Sequence, residues 1–227
     1  MKSKFVLSLV AVGLGFFSAG CSSTKSANTG DTKGKTDPVV AKYETANGLA
    51  KYSKDNKDAV GLGIAAAMMK EVEVTTVEID FESEPAAASS DKEPLRADAL
   101  KEEALAMATP GQKVVIEERF AAVQVPDTKT RGRVGGPGEY VGRVNARETD
   151  EFVVSFRGGK PAWIYVSGDG DTDLDLYVYD ENGNRIGEDE DGTDECLVRF
   201  NPIWTGPFTI RVKNRGNIYN AYKLVTN

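Results

Sequence analysis

The chain has 227 residues, and 35 acidic against 28 basic side chains give it a net charge of −7 at neutral pH. A chain this acidic repels nucleic acid and anionic lipid head groups, so we predict no nucleic-acid partner. The sequence contains no histidine. This excludes Ser-His-Asp and Cys-His catalysis and every zinc site that needs an imidazole ligand.

The N-terminus has the three parts of a secretory signal. Lys2 and Lys4 make its start basic, residues 5–19 are uncharged and mostly apolar, and small residues precede Cys21. A helix formed by residues 5–19 would be about 22 Å long, which is short of the hydrocarbon core of a bilayer. We therefore predict a signal peptide over residues 1–20 rather than a permanent transmembrane helix.

The residues Ser18-Ala19-Gly20-Cys21 resemble a bacterial lipobox, in which the cysteine after the cleavage site is acylated, although Ser18 stands where leucine is usual. The resemblance implies that Cys21 is the mature N-terminus and carries a lipid anchor. Ordinary secretion without lipid is the alternative. Ser22 stands where an aspartate would favour retention at the inner membrane. In a host with two membranes this implies the outer membrane, facing the periplasm or the cell surface.

A helical region is predicted over residues 37–125, behind a polar tether over residues 21–36. The tether has no large apolar residue, so we expect it to be flexible. A second helix that starts at Asp58, after a polar loop over residues 53–57, would form an αα-hairpin with the first helix. The first helix is indicated by Asp37-Pro38 at its start and by an apolar stripe at helical spacing, which consists of Val39, Tyr43, Ala46 and Ala50.

The rest of the helical region is less regular in sequence. Residues 71–82 alternate between acidic and apolar types, which indicates an extended segment, and residues 84–91 have the composition of a linker. A third helix is predicted from Pro94 to Ala108. Residues 112–124 fit either a helix or a strand.

Beyond a second linker over residues 126–138 the apolar period changes to two, which is typical of strands. Seven short strands separated by turn residues predict an antiparallel β-sandwich or jelly roll over residues 139–227. The chain as a whole is therefore predicted to belong to the α+β class. The predicted strands are 140–144, 151–156, 161–167, 173–180, 194–200, 207–213 and 219–225.

Three of these segments resemble the bacterial pre-peptidase C-terminal domain, a small β-sandwich found behind the catalytic domains of secreted peptidases. They are residues 173–180 with the Glu-Asn-Gly-Asn turn that follows, residues 205–212, and the closing Tyr222-Lys223-Leu224. The resemblance covers residues 139–227, and no peptidase sequence precedes it in this chain. It implies a non-catalytic domain that aids secretion, solubility or attachment, in some members with bound calcium.

Acidic residues concentrate between Asp169 and Glu195, where twelve acids stand against the single base Arg185. Successive antiparallel strands run to opposite ends, so the loops at residues 168–172 and 189–193 should lie at the same end of the sandwich. Calcium accepts six to eight oxygen ligands, and a solvated acidic surface is the alternative interpretation. The predicted calcium ligands are Asp169, Asp171, Asp173, Asp189, Asp191 and Asp194.

Three single residues have side chains that could take part in chemistry or ligand binding. Cys196 alternates with Val198 and Phe200 on one strand face, which predicts an unreactive core thiol. Trp163 and Trp204 are predicted to pack within the fold rather than to form a sugar-binding platform.

The predicted function is that of a membrane-tethered, non-catalytic binding or structural lipoprotein of the cell envelope. Its partner would be an envelope protein or polymer that the sequence does not identify. The alternative is an exported enzyme that works through a pair of carboxylates, such as a glycoside hydrolase, because acidic residues are abundant.

Overall fold

The computed structural model describes residues 25–30, 38–72, 95–124, 132–136 and 138–227. The predictions for the signal peptide and for Cys21 fall outside these ranges, and so do residues 73–82 of the extended segment predicted over residues 71–82. Residues 71 and 72 are helical, so the prediction is wrong for these two. Within them, no helix combines the length and the apolar character needed to cross a membrane.

Two helices joined by a short connection form the predicted αα-hairpin. Helix α1 spans Pro38–Asn56 and helix α2 spans Ala59–Val72. The predicted loop over residues 53–57 is too long, because α1 continues to Asn56 and only Lys57, with a φ of 55°, and Asp58 lie between the helices. The Oδ1 atom of Asp58 accepts the backbone N–H of Gly61 at 3.0 Å, which caps the first turn of α2.

Two shorter helices follow, α3 over Ala97–Met107 and α4 over Pro110–Ala121. The third helix therefore starts at Ala97 rather than at Pro94. Thr109 and Gln112 form a capping box at the start of α4, and this makes most of residues 112–124 helical. The core between the helices is filled largely by small and medium-sized side chains that are almost fully buried, among them Leu62, Ala65, Ala66, Leu100 and Ile116.

The C-terminal part forms eight antiparallel strands in two four-stranded sheets. One sheet has the order β1-β8-β3-β6 and the other the order β2-β7-β4-β5, which is a jelly-roll arrangement. The predicted α+β architecture is therefore confirmed. The strands are β1 Gly138–Val144, β2 Thr149–Phe156, β3 Ala162–Gly168, β4 Leu174–Asp180, β5 Arg185–Asp189, β6 Glu195–Phe200, β7 Gly206–Asn214 and β8 Asn220–Thr226.

The core lies between the two sheets and takes alternate residues from each strand. The rings of Phe156, Phe200 and Phe208 lie with centroids 4.9 to 5.7 Å apart in edge-on and tilted pairs. Cys196 is buried in the same core, with its Sγ atom 3.0 Å from the carbonyl oxygen of Leu174. Burial raises the pKa of the Cys196 thiol, so the predicted core thiol is confirmed and is a poor nucleophile.

Helix α1 covers the outer face of the β1-β8-β3-β6 sheet. Tyr43 of α1 packs edge-on against Tyr165 of β3, with ring centroids 5.0 Å apart, and Trp163 and Val225 join the same apolar cluster. The Nδ2 atom of Asn47 donates a hydrogen bond to the hydroxyl of Tyr165 at 2.7 Å. Because this face is covered, β3 and β8 are buried on both sides.

Residues 25–30 lie against one end of the sandwich, which we call the basal end. It is formed by the β2–β3 loop (residues 157–161), the β4–β5 turn (181–184) and the β6–β7 loop (201–205). The N–H of Gly30 donates to the carbonyl of Asn201 at 2.8 Å. The side chains of Asn182 and Asn184 donate to the carbonyl oxygens of Ser26 and Lys25. The prediction of a flexible tether is therefore wrong for these six residues.

Asn28 explains why a segment without large apolar side chains is held in place. Its side chain is fully buried, its Oδ1 atom accepts the N–H groups of Ile203 and Trp204, and its Nδ2 atom donates to the carbonyl of Trp204 at 3.0 Å. Its own N–H donates to Asp180 at 2.8 Å. A buried carboxamide with all these partners replaces the apolar burial that the composition lacks.

The sandwich also begins earlier than predicted. Residues 132–136 fall in the predicted linker over residues 126–138, yet the N–H of Val134 donates to Ser155 at 2.8 Å and the carbonyl of Gly132 accepts from Arg157 at 2.7 Å. These backbone bonds add the segment to the edge of β2.

Removing Tyr43 tests the interface between α1 and the sheet. We expect Tyr43→Ala to lower the free energy of unfolding by about 3 kcal/mol, because it empties a buried aromatic site. Tyr52→Ala is the matched control, since Tyr52 lies on the same helix and is 61 % exposed; its effect should stay within about 0.5 kcal/mol. Urea unfolding of residues 25–227 measures both, and equal effects of the two substitutions would contradict the interface.

Candidate functional site

The two acidic loops meet at the end of the sandwich opposite the basal end, which we call the acidic end. The N–H of Gly168 donates to the carbonyl of Asp194 at 2.8 Å, and the N–H of Leu174 donates to the carbonyl of Thr193 at 3.0 Å. The β3–β4 and β5–β6 loops therefore lie side by side, as strand direction predicts. The Asp180 turn lies at the basal end.

Most of the six predicted calcium ligands are engaged by groups of the chain itself. Asp169 accepts the N–H groups of Ala221 and Asp171, at 2.9 and 3.0 Å. The Oδ2 atom of Asp189 accepts the N–H of Leu197 at 2.8 Å. Asp191 accepts both the N–H and the hydroxyl of Thr193.

The remaining ligands do not complete a metal site. Asp194 accepts the N–H of Gly170 and pairs with Lys51. Burial, followed by the charge of Asp175, raises the pKa of Asp173. Across the described ranges, no group of three or more His, Cys, Asp or Glu is placed to hold a metal ion. The arrangement gives calcium no added support, and the calcium site stays a prediction.

A cleft that the sequence does not predict lies where α1 meets the acidic end. The ammonium group of Lys51 lies 2.6 Å from Glu195 and 3.2 Å from Asp194, and it separates two cavities of about 420 and 620 Å³. Burial lowers the pKa of Lys51, but its bonds to these two carboxylates outweigh burial and raise it overall. Asp189 and Asp191 line the smaller cavity and Asp169 lines the larger.

The outer face of the β2-β7-β4-β5 sheet carries a second candidate surface. We call it the open sheet face and define it by Glu151, Val153, Tyr177, Tyr179 and Arg211. The guanidinium of Arg211 lies 4.9 Å from the ring centroid of Tyr179, and its Nε atom donates to Glu151 at 2.7 Å. Val153 is 62 % exposed. The face is thus part aromatic, part charged and accessible to solvent.

The two tryptophans have different surroundings. Trp163 is buried between the sheet and helices α1 and α2, where it packs against Val40 and Val72, so the prediction of packing is confirmed for it. Trp204 lies in the β6–β7 loop, is partly exposed, and donates its indole N–H to Glu181. Because Trp163 is buried, the two rings do not form one exposed platform.

Asp150 is a buried carboxyl group inside the sandwich. The hydroxyl of Tyr222 donates to it at 2.7 Å, and burial raises its pKa to about 6. A raised carboxyl pKa can mark a general acid. Asp150 lines neither of the two cavities at Lys51, however, so its shift follows from burial in the core.

A scan for protein families finds no matching family model, and no curated protein matches the chain. The chain is similar in structure to the pre-peptidase C-terminal domain of a Bacillus anthracis collagenase, with 14% identity over 43% of this chain and 91% of that domain and a TM-score of 0.34. It is also similar to PliG, a periplasmic inhibitor of g-type lysozyme from Aeromonas hydrophila, with 16% identity over 45% of this chain and 91% of PliG and a TM-score of 0.33.

A third similar structure is a carbohydrate-binding module of Cellvibrio mixtus lichenase 5A. The identity is 11%, the match covers 44% of this chain and 92% of the module, and the TM-score is 0.25. At these identities the likenesses concern the β-sandwich fold alone.

Replacing Asp150 tests the effect of its burial on stability. The pKa of Asp150 is about 6 in the folded chain and near 3.8 in the unfolded chain. The contribution of Asp150 to wild-type stability is therefore largest below pH 4 and is lost as the pH rises through 6. Asp150→Asn cannot ionise but keeps an acceptor for Tyr222. We expect it to raise the free energy of unfolding at pH 8 by about 1 to 3 kcal/mol, with a smaller gain at pH 4.

Thermal melts of residues 25–227 at pH 8 and pH 4 measure this difference. A gain that is the same at both pH values would contradict the assignment, because it could not come from ionisation of Asp150.

Melting with calcium tests the predicted ligand set. If the six aspartates bind Ca²⁺, ten times the dissociation constant should add about 1.4 kcal/mol of stability, and the melting temperature should rise. Magnesium is the control ion, since it prefers a stricter octahedral site. The double variant Asp171→Ala, Asp191→Ala should lose the response. A melting temperature that does not respond to calcium rules the site out.

Proposed function

We propose that this protein is an exported, lipid-anchored binding module of the cell envelope that works without catalysis. The observation that carries the proposal is the difference between the two sheets. Helix α1 covers the outer face of one sheet, whereas the open sheet face of the other displays aromatic, charged and apolar side chains to solvent. A binding module needs such a surface on a rigid support, and the packed core of the sandwich supplies that support.

The composition of the open sheet face favours a protein partner. Tyrosine and arginine are enriched among the residues that contribute most to protein–protein affinity. Arg211 is held between Tyr179 and Glu151, so it loses little freedom on binding, and Val153 adds apolar area beside it. A flat surface of this kind suits another protein of the envelope better than a small molecule, which binds in a concave pocket.

The cleft at Lys51 supports a role without catalysis. Hydrolysis by two carboxylates needs one protonated acid and one free carboxylate that face the same gap. In the cleft, Asp194 and Glu195 pair with Lys51, and Asp189 accepts a backbone N–H. Asp194 and Glu195 therefore join α1 to the sandwich, and Asp189 holds β6 within it.

The lipid anchor is proposed at Cys21, with the outer membrane as its place. The basic start, the apolar run and the small residues before Cys21 support it. The partner would then be an envelope protein that the anchored module can reach from the membrane surface.

A photo-crosslinking amino acid at position 153 tests the proposal in living cells of the native host. We expect one discrete protein adduct, because Val153 lies on the open sheet face and is exposed. Arg211→Glu should weaken the adduct roughly tenfold, since it reverses a charge in the contact. The same crosslinker at position 52 is the control, because Tyr52 is equally exposed but lies on α1.

Equal adducts from positions 153 and 52, or none from position 153, would contradict a protein partner at this face. Retention of the protein on purified cell-wall polymer, without any protein adduct, would assign a polymer partner instead.

A further inference from the structure

The basal end carries an exposed apolar tip. Ile203 is 56 % exposed and Trp204 is partly exposed, and both lie in the β6–β7 loop. The carboxamide of Asn28 accepts the N–H groups of these two residues at 2.9 and 3.0 Å, and Glu181 accepts the indole N–H. The tip is therefore held in a fixed shape that directs apolar surface outwards.

The two ends of the sandwich differ in charge. The three basal loops, residues 25–30 and Asp180 at the end of β4 contain three basic residues, Lys25, Arg157 and Lys160, and two acidic residues, Asp180 and Glu181. The four loops at the acidic end, over residues 145–148, 169–173, 190–194 and 215–219, contain seven acidic and two basic residues. A surface that approaches the basal end therefore meets a small excess of positive charge beside the apolar tip, whereas the acidic end is strongly negative.

Distance keeps the acidic end from cancelling this local charge. Strands of about seven residues separate the two ends by roughly 20 Å, at about 3.3 Å per residue. Charges at physiological ionic strength are screened over about 8 Å. The net charge of −7 therefore does not decide what the basal end binds.

The path of the N-terminal segment brings the basal end close to the predicted anchor. The carbonyl of Lys25 accepts a hydrogen bond from Asn184 in the β4–β5 turn, so Lys25 lies at the basal end. Only three residues lie between Cys21 and Lys25, which are four positions apart. Fully extended, that stretch spans at most about 14 Å.

We propose that the basal end is a lipid-docking surface, in which Ile203 and Trp204 enter the head-group region of the membrane that holds the lipid on Cys21. This inference rests on the proposed lipid anchor. Tryptophan favours the membrane–water interface, where its ring contacts apolar groups and its indole N–H contacts polar head groups or water. Lys25 and Lys160 belong to the basal segments that adjoin the tip, and each basic residue near an anionic surface adds attraction.

Docking gives the anchored protein one orientation. With the basal end on the membrane, the acidic end points away from the lipid, and the acidic loops avoid the anionic surface. The open sheet face, which runs between the two ends, then stands beside the membrane rather than against it.

Quenching of tryptophan fluorescence by brominated lipid tests the docking. The lipidated protein is reconstituted into vesicles of phosphatidylethanolamine and phosphatidylglycerol that contain lipid brominated near the head group. The chain has two tryptophans, so Trp163→Phe reports Trp204 and Trp204→Phe reports Trp163. We expect Trp204 to be quenched roughly twofold and Trp163, which is buried against α1, to change little. The unsubstituted protein, in which both rings report, should give intermediate quenching.

A matched pair of substitutions identifies the tip. Ile203→Asp should roughly halve the quenching of Trp204, because it places a charge in the interface. Val153→Asp is the control, since Val153 has similar exposure on the open sheet face, and it should leave quenching unchanged.

Flotation of the vesicles separates the two ways in which the idea can fail. Protein that does not float with the vesicles has no lipid anchor, and this result would contradict both the proposed anchor and the docking surface. Protein that floats but shows no more quenching at Trp204 than at Trp163 keeps its anchor and contradicts the docking surface. Quenching that Ile203→Asp leaves unchanged also contradicts it.

Discussion

The outer face of the β1-β8-β3-β6 sheet is apolar, and the rest of the structure depends on its being covered. Trp163, Tyr165 and Val225 would expose a large apolar patch if α1 were absent. Covering them fixes α1 along β3, and α2 and the later helices pack behind it. The same docking brings Lys51 to Asp194 and Glu195 and so creates the cleft at the acidic end. Among the described residues, the outer face of the other sheet stays exposed to solvent.

A second constraint is a set of buried hydrogen bonds at the basal end of the sandwich. The buried carboxamide of Asn28 satisfies backbone groups of the β6–β7 loop, and its own N–H is satisfied by Asp180. Burial alone would raise the pKa of Asp180, but its carboxylate accepts four hydrogen bonds from nearby N–H groups, including that of Asn28, and the pKa is lowered overall. The negative charge is therefore stable at the basal end, and it holds the N-terminal segment to the sandwich.

The sequence predicts those parts of the fold that depend on short-range patterns. The strands with clear alternation, such as β2, were predicted because every second residue is buried. Strand β5 was missed because Ile186 is its one apolar residue and Gly187 interrupts the pattern. Helix α4 was ambiguous because residues 112–124 fit a helix or a strand, and the capping box of Thr109 and Gln112 at its start became visible only in the structure.

For the candidate sites too, short-range patterns were predictable and contacts between residues far apart in sequence were not. Strand direction was enough to place the two acidic loops at one end of the sandwich. The partners of those carboxylates were not predictable, because the pairing of Lys51 with Asp194 joins residues 143 positions apart and depends on how α1 docks. The position of residues 25–30 was missed for a similar reason: their hydrogen-bond partners lie more than 150 residues away in sequence.

The central claim of this account is that the helical region, residues 25–30 and the sandwich form one folded body. Hydrogen–deuterium exchange on residues 21–227 tests it most directly. The account predicts that the amides of α1 and the amide of Gly30, which donates to Asn201, exchange as slowly as those of the sandwich strands. Exchange of Gly30 at the rate of an unstructured peptide, or exchange of α1 well ahead of β3, would contradict it.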